Sequence, residues 1–118
     1  MATHEQTWVK VNAPVDSKIA DIVSLLNSVD GLETLDSCQG DPGEREAYIY
    51  FSYGDWHNLS AFVFERLRPE LRSLADDARV RLEASMDCEV PLARLSFRAE
   101  ATEAVASALK VALVNQKP

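Results

Sequence analysis

Cysteine and carboxylate chemistry is concentrated in one stretch of this sequence. A strand-like run, Thr34-Leu35-Asp36-Ser37-Cys38, stops at a thiol and passes into a loop of glycine, proline and acid, Gln39 to Glu46. A cysteine attacks as its thiolate, so it needs a base or a positive neighbour. His57 is the candidate base. Asp36, Asp41, Glu44 and Glu46 supply carboxylates around the same loop, which is the raw material of acid–base hydrolysis if two of them are fixed in a cleft. Cys38 and Cys88 are too few for a disulfide framework and have no metal-binding spacing. Cys88 beside His57, with Asp55 or Asp87 near, makes at most an incomplete metal site, and the sequence calls for no cofactor.

A second constellation joins arginine to aromatic residues. Arg79, Arg81, Arg94 and Arg98 alternate with apolar residues in two segments near the C-terminus, and Tyr48 and Tyr50 alternate with Ile49 and Phe51. Guanidinium forks and aromatic planes suit phosphates, bases and carboxylates. Whether these residues meet depends on the elements that carry them.

Those elements can be read from hydrophobic periodicity. Thr7 to Asn12 reads as a first strand, closed by Pro14, with Asp16 or Ser17 as the cap of a helix from Lys18 to Val29. That helix carries an apolar stripe of Ile19, Ile22, Val23, Leu26 and Val29, and Asp30-Gly31 ends it. Leu32 to Cys38 and Ala47 to Tyr53 read as strands two and three, joined by the acidic loop. Asp55 caps a second helix from Trp56, with Leu59, Phe62, Val63, Leu67, Leu71 and Leu74 on its buried side. Pro69 predicts a kink in it, or a fresh helical start. Arg79 to Met86 and Ala93 to Arg98 alternate cleanly and read as strands four and five, and Thr102 to Val114 as a third helix.

The order β-α-β-β-α-β-β-α predicts one α+β domain over residues 1–118, with a ferredoxin-like antiparallel sheet of strand order 2-3-1-4-5 and all helices on one face. On that plan Cys38 and His57 fall at opposite ends of the sheet, roughly 20 Å apart, and no dyad forms. A Cys38–Cys88 disulfide is opposed on the same ground. The uncovered face then gathers Arg79, Arg81, Arg94 and Arg98 with Tyr48, Tyr50, Trp8 and Lys10. Five of the 12 basic residues thus share a face in a protein of net charge -7. Such a face could bind a nucleotide-like anion, serve a homo-oligomer or protein partner, or stay solvated with Glu83 paired to Arg94 or Arg81. The net charge disfavours extended nucleic acid. No apolar run spans a membrane and no signal segment opens the chain, which predicts a cytoplasmic protein.

The turn Ser37-Cys38-Gln39-Gly40 resembles an S-C-x-G turn in small uncharacterised bacterial and phage proteins. More distantly, it resembles the strand-S-C-S-G-R-strand segment of tRNA wybutosine-synthesis methyltransferases, although Asp41 stands where that motif has arginine. The first resemblance implies a small accessory or host-antagonising protein; the second implies methyl transfer or tRNA binding. The residues favour a non-enzymatic, homo-oligomeric binding protein for an anionic nucleotide-like ligand or a partner protein, with a site at Arg79, Arg81, Arg94, Arg98, Tyr48, Tyr50, Trp8, Cys38 and Gly40. The alternatives are a small Cys38-centred transferase or hydrolase and a purely structural interaction module.

Overall fold

The computed structural model describes residues 6–8, 14–16, 19–74, 76–87 and 89–114. It has an α+β architecture, in which a four-stranded antiparallel sheet carries three helices. In chain order the elements are β1 (Gln6–Trp8), β2 (Pro14–Asp16), α1 (Ala20–Asn27), β3 (Leu32–Cys38), β4 (Glu46–Tyr53), α2 (Trp56–Ala61), α3 (Arg68–Leu71), β5 (Arg81–Asp87), β6 (Val90–Arg98) and α4 (Thr102–Val114). A π-helical segment, Phe62–Leu67, joins α2 to α3, so the three pieces make one long second helix.

The sheet order is β3-β4-β6-β5. The predicted five-stranded order 2-3-1-4-5 is therefore corrected. The first strand does not enter the sheet: β1 and β2 pair with each other, Trp8 opposite Pro14, in a separate two-stranded ribbon. Pro14, expected to stop a strand, starts one. A proline lacks the N–H a central strand needs but is tolerated in a ribbon open on both sides, and a local hairpin closes a shorter loop than a crossover does. A split crossover does exist, but it joins the strands predicted as three and four, with the fifth between them, instead of strands one and two. β4 and β5 run parallel with β6 between them, because the β5–β6 hairpin folds back into the sheet. β6 is central for a visible reason: Ala93, Leu95 and Phe97 are all buried, and Ser96 on its other face is 1% exposed.

One face of the sheet and all three helices share a single core. Ala47, Ile49 and Phe51 of β4 and Ala93, Leu95 and Phe97 of β6 pack against Ile22, Val23 and Leu26 of α1, Leu59, Phe62 and Val63 of the second helix, and Val105 and Leu109 of α4. Asp55 caps α2, its Oδ1 accepting the Asn58 N–H at 2.8 Å. Pro69 falls in the first turn of α3, which starts afresh at Arg68 as expected of a proline there. The turn before it is π-helical, with the Arg68 N–H reaching back five residues to the Val63 carbonyl. The widened turn gives room for a residue that lacks its own N–H and would crowd the carbonyl four residues back. Among the described residues no helix is long and apolar enough to cross a membrane.

Candidate functional site

The face of the sheet opposite the helices is ruled by register. Two rows cross it: Cys38–Tyr48–Ser96–Arg81 and Asp36–Tyr50–Arg94–Glu83. A β-bulge in β3 builds the left end of both. Thr34 pairs with Phe51, the next paired residue is Asp36 with Tyr50, and Leu35 is extruded, 49% exposed. Without the extra residue, Asp36 would fall opposite Ile49 and Cys38 opposite Ala47, both on the helix-covered side. One inserted residue therefore carries Asp36 and Cys38 to the open face.

At the centre, Tyr48 and Tyr50 meet edge to face, their centroids 5.6 Å apart at 71°. The Arg94 guanidinium lies over both rings, 5.7 Å from Tyr48 and 5.8 Å from Tyr50. Arg94 Nη1 approaches Glu83 Oε1 at 4.0 Å, and its buried Nε has no acceptor among the described residues. Burial raises the Tyr48 hydroxyl above its ordinary value of 10.0, and Asp36, Cys38 and Tyr50 add to the effect while Arg94 opposes it. A phenol with a carboxylate near it is harder to ionise than a free one.

The four-arginine clamp is only partly assembled. Arg81 Nη2 donates to both carboxylate oxygens of Glu46, at 3.0 and 3.2 Å. Arg98 donates to the Asp77 carbonyl and to Glu100 Oε2, each at 3.4 Å. Arg79 is not on a strand: it is exposed at a turn with φ +53, where β5 has not begun. Trp8 lies in the β1–β2 ribbon, outside the four-stranded sheet, and Lys10 falls outside the described residues. Arg94, Tyr48 and Tyr50 are thus brought together, with Cys38 opposite Tyr48. Glu83 approaches Arg94, one of its two expected partners, whereas Asp36 and Glu46, read from the sequence only as acids of the Cys38 loop, turn out to offset the arginines on this face. Glu83–Arg94 pairing was readable from alternation; Glu46 with Arg81 required knowing that β6 separates β4 from β5.

The Cys38 turn is a piece of backbone engineering. Asp36 Oδ1 accepts the Ser37 N–H at 2.9 Å. Gly40 is buried with φ +73, and a Cβ there would stand 2.6 Å from the Arg45 carbonyl oxygen and 2.7 Å from the Ala47 nitrogen. Across the loop, the Asp41 carbonyl accepts the N–H groups of Glu44 and Arg45, and the Asp41 and Arg45 side chains form an ion pair at 2.6 Å. Asp41, by hydrogen bond and charge, raises the Arg45 guanidinium further above its ordinary value. Asp41 and Glu46 are therefore each bound to an arginine and do not form a free acid–base pair. His57 is exposed on α2, beyond the far end of β4, which itself lies about 17 Å from Tyr48 at a strand rise of 3.3 Å per residue. Cys88 lies outside the described residues. Among the described residues no group of three or more His, Cys, Asp or Glu side chains could hold a metal ion.

In comparisons with known proteins, no family model, no curated protein and no solved structure matches the chain.

Proposed function

We propose that the chain is a non-enzymatic binding protein that docks onto a partner protein through Tyr48, Tyr50 and Arg94. The observation that supports this is the stacking of Arg94 over two mutually edge-on tyrosines, on a sheet face without helices. Tyrosine and arginine are the residues that dominate alanine scans of protein interfaces, and they do so from rigid, water-shielded positions. Each ring here rests on a strand and on its neighbour, so little side-chain freedom is left to lose on binding. The surrounding charges compensate one another: Arg81 with Glu46, Arg94 with Glu83. Such mixed charge orients a protein partner and gives little attraction to a polyphosphate. An accessory or host-antagonising role, as the Ser37–Gly40 resemblance implies, is part of the same reading.

A second reading has one observation in its favour. The Arg94 side chain is 38% exposed beside Tyr48 and Tyr50, and its outer guanidinium nitrogens would meet a small nucleotide-like anion on this face. Affinity capture with the wild-type chain and with Tyr48→Ser/Arg94→Ser, quantified by mass spectrometry, tests the first reading. Proteins retained by the wild type and lost by the variant support it; the same proteins on both overturn it. A thermal-shift screen with nucleotides tests the second. Saturation at 100 times Kd adds about 2.7 kcal/mol, and the second reading requires that gain to vanish in Arg94→Ser.

A further inference from the structure

The two edges of the sheet are built differently. β3 carries the Leu35 bulge, and β2 of the ribbon comes near it without joining the sheet. β5 has neither device. Its seven residues pair with β6 without a register shift, from Arg81 opposite Ser96 to Asp87 opposite Val90, and among the described residues nothing pairs with its outer side. A regular strand with a bare row of N–H and C=O groups is a template for another strand. Beside it, on the helix side, Phe64, Leu71, Val80 and Leu82 line a groove rimmed by Arg68 and Arg72. Phe64 is 40% exposed, and Met86 at the other end of the strand is 55% exposed.

We infer that this edge pairs with β5 of a second copy of the chain, antiparallel about a two-fold axis through Ala84. The sequence of β5, Arg81-Leu82-Glu83-Ala84-Ser85-Met86-Asp87, is self-complementary in that register and in no neighbouring one. Position 81 of each copy stands opposite position 87 of the other, so the register sets an arginine position against an aspartate position at both ends. Leu82 faces the partner's Met86, Glu83 faces the partner's Ser85, and Ala84 faces its own symmetry mate. Both copies of an isologous contact use the same patch, as a two-fold requires.

The alternatives fail on charge or on sidedness. A shift of two residues one way sets Glu83 against the partner's Glu83. The same shift the other way sets Glu83 against the partner's Asp87. Like charges directly opposite destabilise a strand pair. A shift of three is an odd slip and fails as a one-residue slip does, and shifts of four or more leave less than half of the strand paired. A one-residue slip turns the helix layers to opposite sides and sets Leu82, Ala84 and Met86 against polar residues. In the favoured register the partner's Met86 lies on the helix side next to Leu82, where the Phe64 groove begins. Arg81 can serve two acceptors: Nη2 makes both contacts with Glu46, which leaves Nε and Nη1 of a side chain 58% exposed.

Arg81 and Glu83 also border the Tyr48–Tyr50–Arg94 cluster, and the experiment separates a contact through the β5 edge from one through that cluster. Sedimentation of the whole chain is expected to give a dimer. Arg81→Asp and Asp87→Arg, each alone, are expected to shift it to monomer, and the two combined to restore the dimer. Circular dichroism checks that each variant is folded. A second arm leaves Arg81 untouched: with Cys38→Ser and Cys88→Ser, Ala84→Cys is expected to give a disulfide-linked dimer under mild oxidation, since residues facing across an antiparallel pair lie within bridging distance. Ser85→Cys in the same background is expected to give far less. A monomer at every concentration overturns the inference, as does a dimer that cross-links through 85 rather than 84. So does a dimer abolished by Tyr48→Ser/Arg94→Ser but not by Met86→Lys.

Discussion

Asn27 and Thr34 exchange two hydrogen bonds across the turn from α1 to β3. The Asn27 side-chain amide donates to Thr34 Oγ1 at 2.9 Å, and the Thr34 N–H donates back to Asn27 Oδ1 at 3.3 Å. Asn27 is one of only two buried polar residues among those described, so its partners on β3 set where the helix ends and the strand begins. Asn27→Ala leaves a hydroxyl and an amide without their partner, at a cost of about 2 kcal/mol. Urea unfolding measures it. In a double-mutant cycle with Thr34→Val, the pair is expected to cost less than the sum of the two single changes.

Gly40 and Gly43 separate backbone strain from crowding. Both have positive φ, +73 and +76, but a Cβ at Gly43 meets nothing within 4 Å, whereas at Gly40 it meets backbone at 2.6 Å. Gly43→Ala carries only the left-handed penalty, about 1 kcal/mol. Gly40→Ala adds overpacking of about 1–3 kcal/mol and disturbs the Ala47 end of β4. Equal costs from denaturant titration would show that the loop gives way without strain.

Ionisation of Tyr48 links the open face to stability at high pH. Burial raises its folded-state value above 10.0. The folded chain therefore keeps a proton that the unfolded chain gives up once pH passes the ordinary value. The contribution is fully present below about pH 10 and is lost as pH climbs towards the raised value. Unfolding free energies of the wild type and Tyr48→Phe are expected to diverge only in that alkaline window, with the wild type falling more steeply. Spectrophotometric titration at alkaline pH reads the same group directly.

Glu100 gives the opposite sign at the acid end. Its own backbone N–H, helped by Arg98 and by the Gly43 N–H, holds its carboxyl below the ordinary value of 4.5 against a smaller opposing effect of burial. That contribution is present above pH 4.5 and is lost as pH falls through the lowered value. A carboxyl titration followed by NMR should place Glu100 below the other glutamates, and Arg98→Ala should move it upward.

Cys38 chemistry should be indifferent to His57. With half the sheet between them, His57→Ala is expected to leave the alkylation rate of Cys38 unchanged in a Cys88→Ser background. A slower reaction in the histidine variant would revive the cysteine-centred enzyme.

Much of this was legible in the chain, for identifiable reasons. Alternation and caps gave β3, β4 and the starts of the helices at Trp56 and Thr102 nearly to the residue, and the C-terminal end of β6, because burial on one face is written directly into every second or every third to fourth position. Strand order was not legible. It depends on which edge a hairpin joins, and nothing in the composition of Thr7–Trp8 says that it prefers Pro14–Asp16 to the main sheet. The bulge at Leu35 was hidden too, since a leucine continues the strand pattern whether or not it is paired. That single residue decides which side Asp36 and Cys38 occupy, so the left border of the candidate site could not be derived from alternation. The arginines were found by type, but their carboxylate partners come from other strands, and only the register brings them together.

The unequal edges of the sheet also set the stoichiometry of any assembly through β5. A sheet with two bare borders can add a copy on each side and grow without limit. Here one border is interrupted by an extruded leucine and has the ribbon's second strand near it, while the other is regular throughout. Two copies joined through β5 would use the regular border of each sheet and leave outward only the interrupted one, which disfavours growth beyond a pair.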